Sequence, residues 1–234
     1  MTTRIGVVVF PGTNCEHDVV RAVRSVGGEA ELVWGGGSDL GGVDAVVIPG
    51  GFAHGDYLRP GAIARISPIM AAIADFAAEG GPVVGICNGF QVLTEAGLLP
   101  GALQRNAGLR FVCDTVSVAV CSTESVLTSD TEVGRELRLP VNHFEGRYVA
   151  DAATVKRLQE EDRVVLRYVV NPNGSIDDIA GVVNEGRNVV GLMPHPERAC
   201  DPMLGSTDGV ALLESLLGSG SRSAAATMAG VVGD

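Results

Sequence analysis

Lysine is nearly absent from this sequence: of 17 basic residues, only Lys156 is a lysine. A phosphate-gripping P-loop ends in a lysine that follows a glycine run. The stretch before Lys156, Asp151-Ala-Ala-Thr-Val155, holds no glycine, and no G-x-G-x-x-G spacing occurs anywhere. Both common sequence devices for gripping a nucleotide are therefore missing. Excess positive charge is missing too. The formal charge is −11, the wrong sign for a general nucleic-acid binder or for a protein held on an anionic membrane. No apolar run approaches ~18 residues, so no segment reads as a membrane span. Paired-cysteine spacing is also absent. The five cysteines, at 15, 87, 113, 121 and 200, are odd in number and form no C-x-x-C, which points to a reducing compartment rather than a disulfide scaffold. Met1-Thr2-Thr3-Arg4 runs into a short apolar stretch broken at Pro11, which does not read as a secretory leader. The expectation is a soluble, cytoplasmic protein.

The chain has 234 residues, 46% of them hydrophobic. That is enough to bury roughly 70% of the unfolded surface without a disulfide or a structural metal. Short β-branched runs alternate with helical patterns. Ile5–Phe10, Ala30–Trp34, Asp44–Pro49 and Pro82–Ile86 read as buried strands. Thr13-Asn14-Cys15-Glu16 has the spacing of a capping box, Val19, Val20, Val23 and Val26 follow at helical intervals, and Gly27-Gly28 ends that helix. Ser67-Pro68 reads as an N-cap with a first-turn proline, ahead of Ile69, Ile73 and Phe76 on one face. Asn88–Glu95 reads as a helix stopped by Gly97, residues 111–147 as β-type segments, and Ala152–Glu160 as a further helix. Arg163–Val170, Asp178–Asn184 and Asn188–Met193 read as strands, and Val210, Leu213 and Leu217 belong to a last helix. This alternation predicts an α/β fold, a doubly wound and mostly parallel sheet with helices on both faces. Residues 1–218 make one domain on this reading. The Gly-, Ser- and Ala-rich stretch 219–234 reads as a flexible C-terminal tail.

The sharpest motif is Gly85-Ile-Cys87-Asn-Gly89 between a strand and a helix. It has the layout of a nucleophile elbow with a thiol as the reactive group. Side chains at 85 or 89 would collide where strand and helix approach, and the N–H groups after Cys87 point at any developing oxyanion. A free cysteine is ordinarily a small buried residue, but this context makes Cys87 a candidate nucleophile.

A thiol nucleophile needs a base and the base needs an orienting group. Of the four histidines, His195 stands in Met193-Pro-His-Pro-Glu197 at the end of a buried strand. In extended backbone, residues two apart face the same way, which lets His195 and Glu197 meet. His17, His54 and His143 read as ordinary surface or core histidines. Pro49-Gly50-Gly51 follows another strand, and the N–H of Gly50 or Gly51 can serve an oxyanion. Cys15-x-His17-Asp18 lacks a second pair at zinc spacing, so no metal site is expected, and Cys113, Cys121 and Cys200 read as packing residues.

Together, Pro49-Gly-Gly51, Gly85-Ile-Cys-Asn-Gly89 and His195-Pro-Glu197 resemble the signatures of the triad, or class I, glutamine amidotransferases. More closely, Phe10-Pro-Gly-Thr-Asn-Cys-Glu-His-Asp18, Gly50-Gly-Phe-Ala-His-Gly-Asp-Tyr-Leu-Arg59 and Asn171-Pro-Asn-Gly-Ser175 resemble the glutaminase subunits of phosphoribosylformylglycinamidine synthase. The resemblance implies a flavodoxin-like fold, Cys87, His195 and Glu197 as catalytic residues, and Gly50, Gly51, Asn88 and Gln91 around the oxyanion and the glutamine. It implies hydrolysis of glutamine to glutamate and ammonia through a γ-glutamyl thioester. It also implies no cofactor in this chain, with ATP and Mg on a large synthetase subunit and a small bridging subunit joining the two. Val116–Cys121, Asn142-His143-Phe144 and the stretch after Gly218 depart from that pattern. The alternatives are a subunit serving another acceptor, a γ-glutamyl hydrolase acting alone, and a non-catalytic binding module on the same fold.

Overall fold

The computed structural model describes residues 2–231, with side chains to Ser223. In chain order the elements are β1 (Arg4–Val9), α1 (Glu16–Ser25), β2 (Glu29–Trp34), β3 (Ala45–Ile48), α2 (Ile69–Ala78), β4 (Val83–Ile86) and α3 (Asn88–Glu95). Then come β5 (Ala102–Gln104), β6 (Val112–Val120), β7 (Glu136–His143), β8 (Arg147–Val149) and α4 (Ala152–Glu160). The chain closes with β9 (Val164–Tyr168), β10 (Ile179–Val183), β11 (Val189–Leu192) and α5 (Gly209–Val231).

One sheet runs in the order β2-β1-β3-β4-β11-β10-β9-β6-β7. Its first five strands are parallel. All but the edge strand β2 carry near-continuous burial, as strands covered on both faces must. From β11 outward every pairing is antiparallel. Helices α1 and α5 pack against each other on one face, and α3 lies on β3, β4 and β11 on the other. The doubly wound reading therefore holds for the parallel half. A separate pair, β5 with β8, was not legible in the sequence.

Three local expectations are corrected. The 13–16 segment is not a capping box: α1 starts from Cys15 without a side-chain cap. Thr13 Oγ1 instead accepts from the Phe10 N–H at 3.0 Å. The N–H of Cys15 donates to the Gly50 carbonyl at 3.2 Å, so tertiary pairing between two loops displaces the local cap. Likewise Pro68, not Ser67, occupies the N-cap of α2.

The third concerns the C-terminal end. Helix α5 continues to Val231 through most of the stretch expected as a tail, and residues 232–234 lie outside the described residues. At Ser219, Gly220 and Ser221 the small residues permit close approach. A Cβ on Gly220 would fall 2.6 Å from Thr3 Cγ2. Thr3 Oγ1 also lies 2.6 Å from Ser221 Oγ, and Ser219 Oγ donates to the Val126 carbonyl.

Candidate active site

Parallel sheets place loops at the carboxyl ends of their strands, and four such loops meet here. Register aligns Gly85 with Gly191 and Ile86 with Leu192, and the N–H of Cys87 donates to the Leu192 carbonyl at 2.8 Å. At Cys87 the chain turns with φ 51° and ψ −104° before entering α3. A side chain held there costs on the order of 1–3 kcal/mol, supplied by surrounding packing. The packing is visible. A Cβ on Gly85 would lie 2.6 Å from the Gly89 carbonyl carbon, and one on Gly89 would run into the Ile48 carbonyl oxygen. Helix α3 thus lies hard against the sheet, and its first N–H, that of Asn88, lacks a partner within the helix.

Beyond β11, the N–H of His195 donates to Pro140 O at 2.8 Å, joining this loop to β7. The turn that follows is 3₁₀ rather than extended, with Pro196–Arg198 folding Glu197 back toward the imidazole. His195 Nδ1 lies 2.6 Å from Glu197 Oε1, and both side chains are about as buried as the core valines. Burial alone would lower the imidazole pKa. The Glu197 charge, with Cys87 beside it, overrides burial and holds His195 well above 6.5. His195 Nε2 is buried and makes no hydrogen bond to nitrogen or oxygen. Its neighbours are the sulfurs of Cys87 and Cys15.

Gly50 makes room for this convergence. A Cβ there would sit 2.7 Å from His195 Cε1, 3.0 Å from Cys15 Sγ and 3.5 Å from Cys87 Cβ. Gly50→Ala is accordingly expected to displace the imidazole and lower kcat by roughly 100-fold, as misplacements of about 1 Å do. Steady-state glutaminase kinetics with a circular-dichroism check of folding would read this, and unchanged kcat would mean the space is not needed. Gly51, at φ 149°, has no room either, since a Cβ would meet Asn14 N at 2.7 Å.

The remaining expected residues are brought to the same cavity, but in different capacities. Asn88 Oδ1 accepts from the Ala53 N–H at 3.0 Å, and its Nδ2 donates to Gln91 Oε1 at 2.8 Å and Asp56 Oδ1 at 3.3 Å. Gln91 Nε2 donates to the Glu145 carbonyl at 2.7 Å. Both amides therefore tie the cavity walls together. Gly51, Cys87, Gln91 and His195 line the cavity, and Gly50 underlies it.

Several lining residues were given no site role in the sequence reading, although Asn14, Cys15 and Asp56 lie in segments that carry the resemblance. Asn14 and Cys15 come from the loop after β1, Asp56 from the glycine-rich loop after β3, and Asn142 to Glu145 from the end of β7. Cys15 and His17, adjacent in sequence, are separated: Cys15 is buried at the cavity, whereas His17 is exposed on α1. His143 is not the loop histidine expected. It closes β7, is buried, and holds Asn106 Oδ1 at 3.1 Å from its Nδ1. Burial, with His195 adding to it, lowers its pKa to about 4. Asp56 is raised to about 6, first by burial and then by the charge of Glu145.

Residues 2–209 match the family model for a CobB/CobQ-like glutamine amidotransferase domain. The chain belongs to the glutamine amidotransferases. A relative from Rubrobacter xylanophilus, phosphoribosylformylglycinamidine synthase subunit PurQ, is 61% identical over 214 residues, covering 92% of this chain and 97% of the relative. The structure of PurLQS from Thermotoga maritima superposes with a TM-score of 0.86 at 43% identity, covering 93% of this chain and 99% of that one. A putative GMP synthase subunit from Thermoplasma acidophilum, at 15% identity and a TM-score of 0.67 over 97% of this chain and 98% of that one, shares the fold.

The segment Asn171-Pro-Asn-Gly-Ser175 lies behind the loop that follows β7. Asn171 Oδ1 accepts from the Gly174 N–H at 2.8 Å, and buried Asn173 donates from Nδ2 to Gly146 O at 2.9 Å. It props the loop that presents His143 and Glu145.

Proposed function

We propose that this chain is the glutaminase subunit of phosphoribosylformylglycinamidine synthase, acting in purine biosynthesis in the cytoplasm. The observation that carries the pathway is 61% identity to a PurQ subunit across nearly the whole of both chains. The chemistry rests on the buried Cys87, His195 and Glu197 at the carboxyl edge of the parallel strands.

In this reading the Cys87 sulfur attacks the side-chain carboxamide carbon of glutamine. The N–H groups of Gly51 and Asn88 hold the oxyanion, each worth roughly 10²–10³ in rate. His195 gives its proton to the departing ammonia, leaving a γ-glutamyl thioester, and then takes one from the water that hydrolyses it. Glu197 accepts from Nδ1–H throughout, fixing the tautomer and sustaining the imidazolium. Ammonia passes to a large synthetase subunit carrying ATP and Mg, with a small bridging subunit completing the assembly.

Asp56 and Glu145 give the cavity a carboxylate wall, and among the described residues no lysine or arginine lines it. Arg105 Nε, 3.4 Å from Glu145 Oε1, offsets part of their mutual repulsion, and a cation between the two carboxylates would relieve the rest, which suits the α-ammonium group of glutamine. Protonation of Asp56 removes one of these charges, so kcat/KM for glutamine is expected to fall as pH drops through about 6. Asp56→Asn should raise KM about 10-fold with a smaller change in kcat, as loss of a charged hydrogen bond does. It should also erase that pH limb. The folded-state pKa lies above the ordinary 3.8, so ionising Asp56 costs stability as pH rises from about 4 through about 6. The variant should therefore melt higher than wild type at pH 8 and alike at pH 4. Unchanged KM would remove Asp56 from substrate binding.

The function itself is tested by mixing the chain with a matching synthetase and bridging subunit and measuring formylglycinamidine ribonucleotide made from glutamine and ATP. Product in an amount set by this chain is expected. Synthesis from ammonia but never from glutamine would assign the chain to another acceptor.

A further inference from the structure

The mechanism makes no use of His143, which closes β7 and lines the same cavity as Cys87 and His195. The end of that strand lies against the nucleophile. Cys87 Sγ donates to the carbonyl of Asn142, the preceding residue, at 3.9 Å.

The proton on the His143 ring can be placed. Asn106 Nδ2 donates to two carbonyls, those of Arg110 and His143, both at 2.9 Å. That fixes which end of the Asn106 amide is oxygen. Asn106 Oδ1 accepts from the Gly146 N–H and lies 3.1 Å from His143 Nδ1. An amide oxygen accepts only from a ring nitrogen that carries hydrogen, so His143 is the Nδ1–H tautomer. Nε2 is then a bare acceptor, buried and without a hydrogen-bond partner among the described residues. The Nδ1 edge is occupied, since a Cβ on Gly146 would fall 2.3 Å from Nδ1 and 2.4 Å from Cε1. The opposite edge is the one left for the cavity. Burial, with His195 adding to it, lowers the ring's pKa to about 4, so it is uncharged at neutral pH.

A buried acceptor without a donor is costly, and a bound molecule that brings an N–H removes the cost. With the α-ammonium group assigned to Asp56 and Glu145, the donors that glutamine has left are those of its carboxamide. We propose that His143 Nε2 accepts a hydrogen bond from the carboxamide nitrogen of glutamine and keeps hold of that nitrogen as it leaves as ammonia. The inference rests on the glutaminase reading. As the C–N bond breaks, its electron pair goes to nitrogen and the His195 Nε2 proton joins it, giving NH₃ and the γ-glutamyl thioester. His143 takes no proton in this step. Having none on Nε2 to give, it holds ammonia without converting it to ammonium, which cannot act as a nucleophile. The γ-carboxylate of glutamate would set its lone pairs against Nε2, so the same contact favours substrate over product.

Two substitutions separate this role from a structural one. His143→Asn can keep a donor for Asn106 Oδ1 but has no atom at the Nε2 position. His143→Gln can bring an amide oxygen to that position but releases Asn106. Each is assayed in the assembled complex with glutamine and with glutamate γ-methyl ester, whose leaving group has no N–H. The readout is kcat/KM, which counts steps only through acylation. His143→Asn should lose about 10-fold on glutamine, the scale of one hydrogen bond, and no more than about 2-fold on the ester. His143→Gln should recover most of the glutamine rate. Equal losses on the two substrates, an unchanged glutamine rate in His143→Asn, or a larger glutamine loss in His143→Gln than in His143→Asn overturns the proposal. In each of those cases wild type still turns over glutamine. A wild-type complex that cleaves the ester but not glutamine would overturn the glutaminase reading, and the proposal with it.

Discussion

Cys87→Ala is expected to stop glutamine-dependent synthesis while ammonia-dependent synthesis by the same complex continues at the wild-type rate. The loss should reach roughly 10⁵-fold or more, the scale seen when a nucleophile that works as a unit with its base is removed. Folding should survive the change. The backbone strain at φ 51° is borne by cysteine already, and the glycines that force it, at 85 and 89, remain. Thermal unfolding should therefore be nearly unchanged, and stoichiometric docking to the synthetase preserved. Residual glutamine turnover within about 10-fold of wild type would place the nucleophile elsewhere. Parallel loss of the ammonia reaction would mean the substitution disturbs assembly instead.

Glu197→Gln carries the second large expectation, a fall in kcat of about 10⁴-fold. Here the carboxylate is 2.6 Å from His195 Nδ1 and fully enclosed. It does two things that an amide cannot: it demands the proton on Nδ1, and its charge opposes the burial that would otherwise keep the imidazole neutral. A glutamine can present its own N–H to Nδ1, fixing the wrong tautomer, which in a related triad geometry costs about 10⁴ in rate. The imidazolium pKa should drop with it, readable by NMR titration of His195. KM should change far less, since Glu197 Oε2 is buried and the residue lies outside the cavity lining. A loss below about 10-fold would reduce Glu197 to a packing role.

Much of this site was legible because its three principal residues carry local signals. Cys87 is bracketed by glycines that packing demands, and His195 by prolines at the end of a buried strand. Glu197 reaches His195 by a 3₁₀ turn rather than the extended geometry that the spacing suggested, so the pairing was right for a different local reason. The rest was illegible for reasons of topology. Asn142, His143 and Glu145 arrive on β7, an edge strand whose approach to His195 depends on the whole antiparallel half curling back. Asp56 sits in a run of left-handed residues, His54, Asp56 and Leu58, that no pattern of hydrophobicity announces. Cys15 was weighed beside His17 only as an incomplete metal cluster and set aside, and its place at the cavity went unread; α1 turns His17 to solvent. At the C-terminal end, glycine and serine read as looseness because composition alone does not show Thr3 lying against Gly220.

On the proposed function the catalytic cycle turns on a covalent γ-glutamyl intermediate at Cys87, and the most direct measurement is intact-mass spectrometry of the chain quenched during turnover. The assembled complex would be given glutamine and ATP, acid-quenched within the first turnovers, and the adduct mapped by peptide mass. A species heavier by one glutamyl group, located on the Cys87 peptide and absent from Cys87→Ala, is the predicted result. Sustained glutamine hydrolysis with no such adduct, or with the adduct on another cysteine, would contradict it.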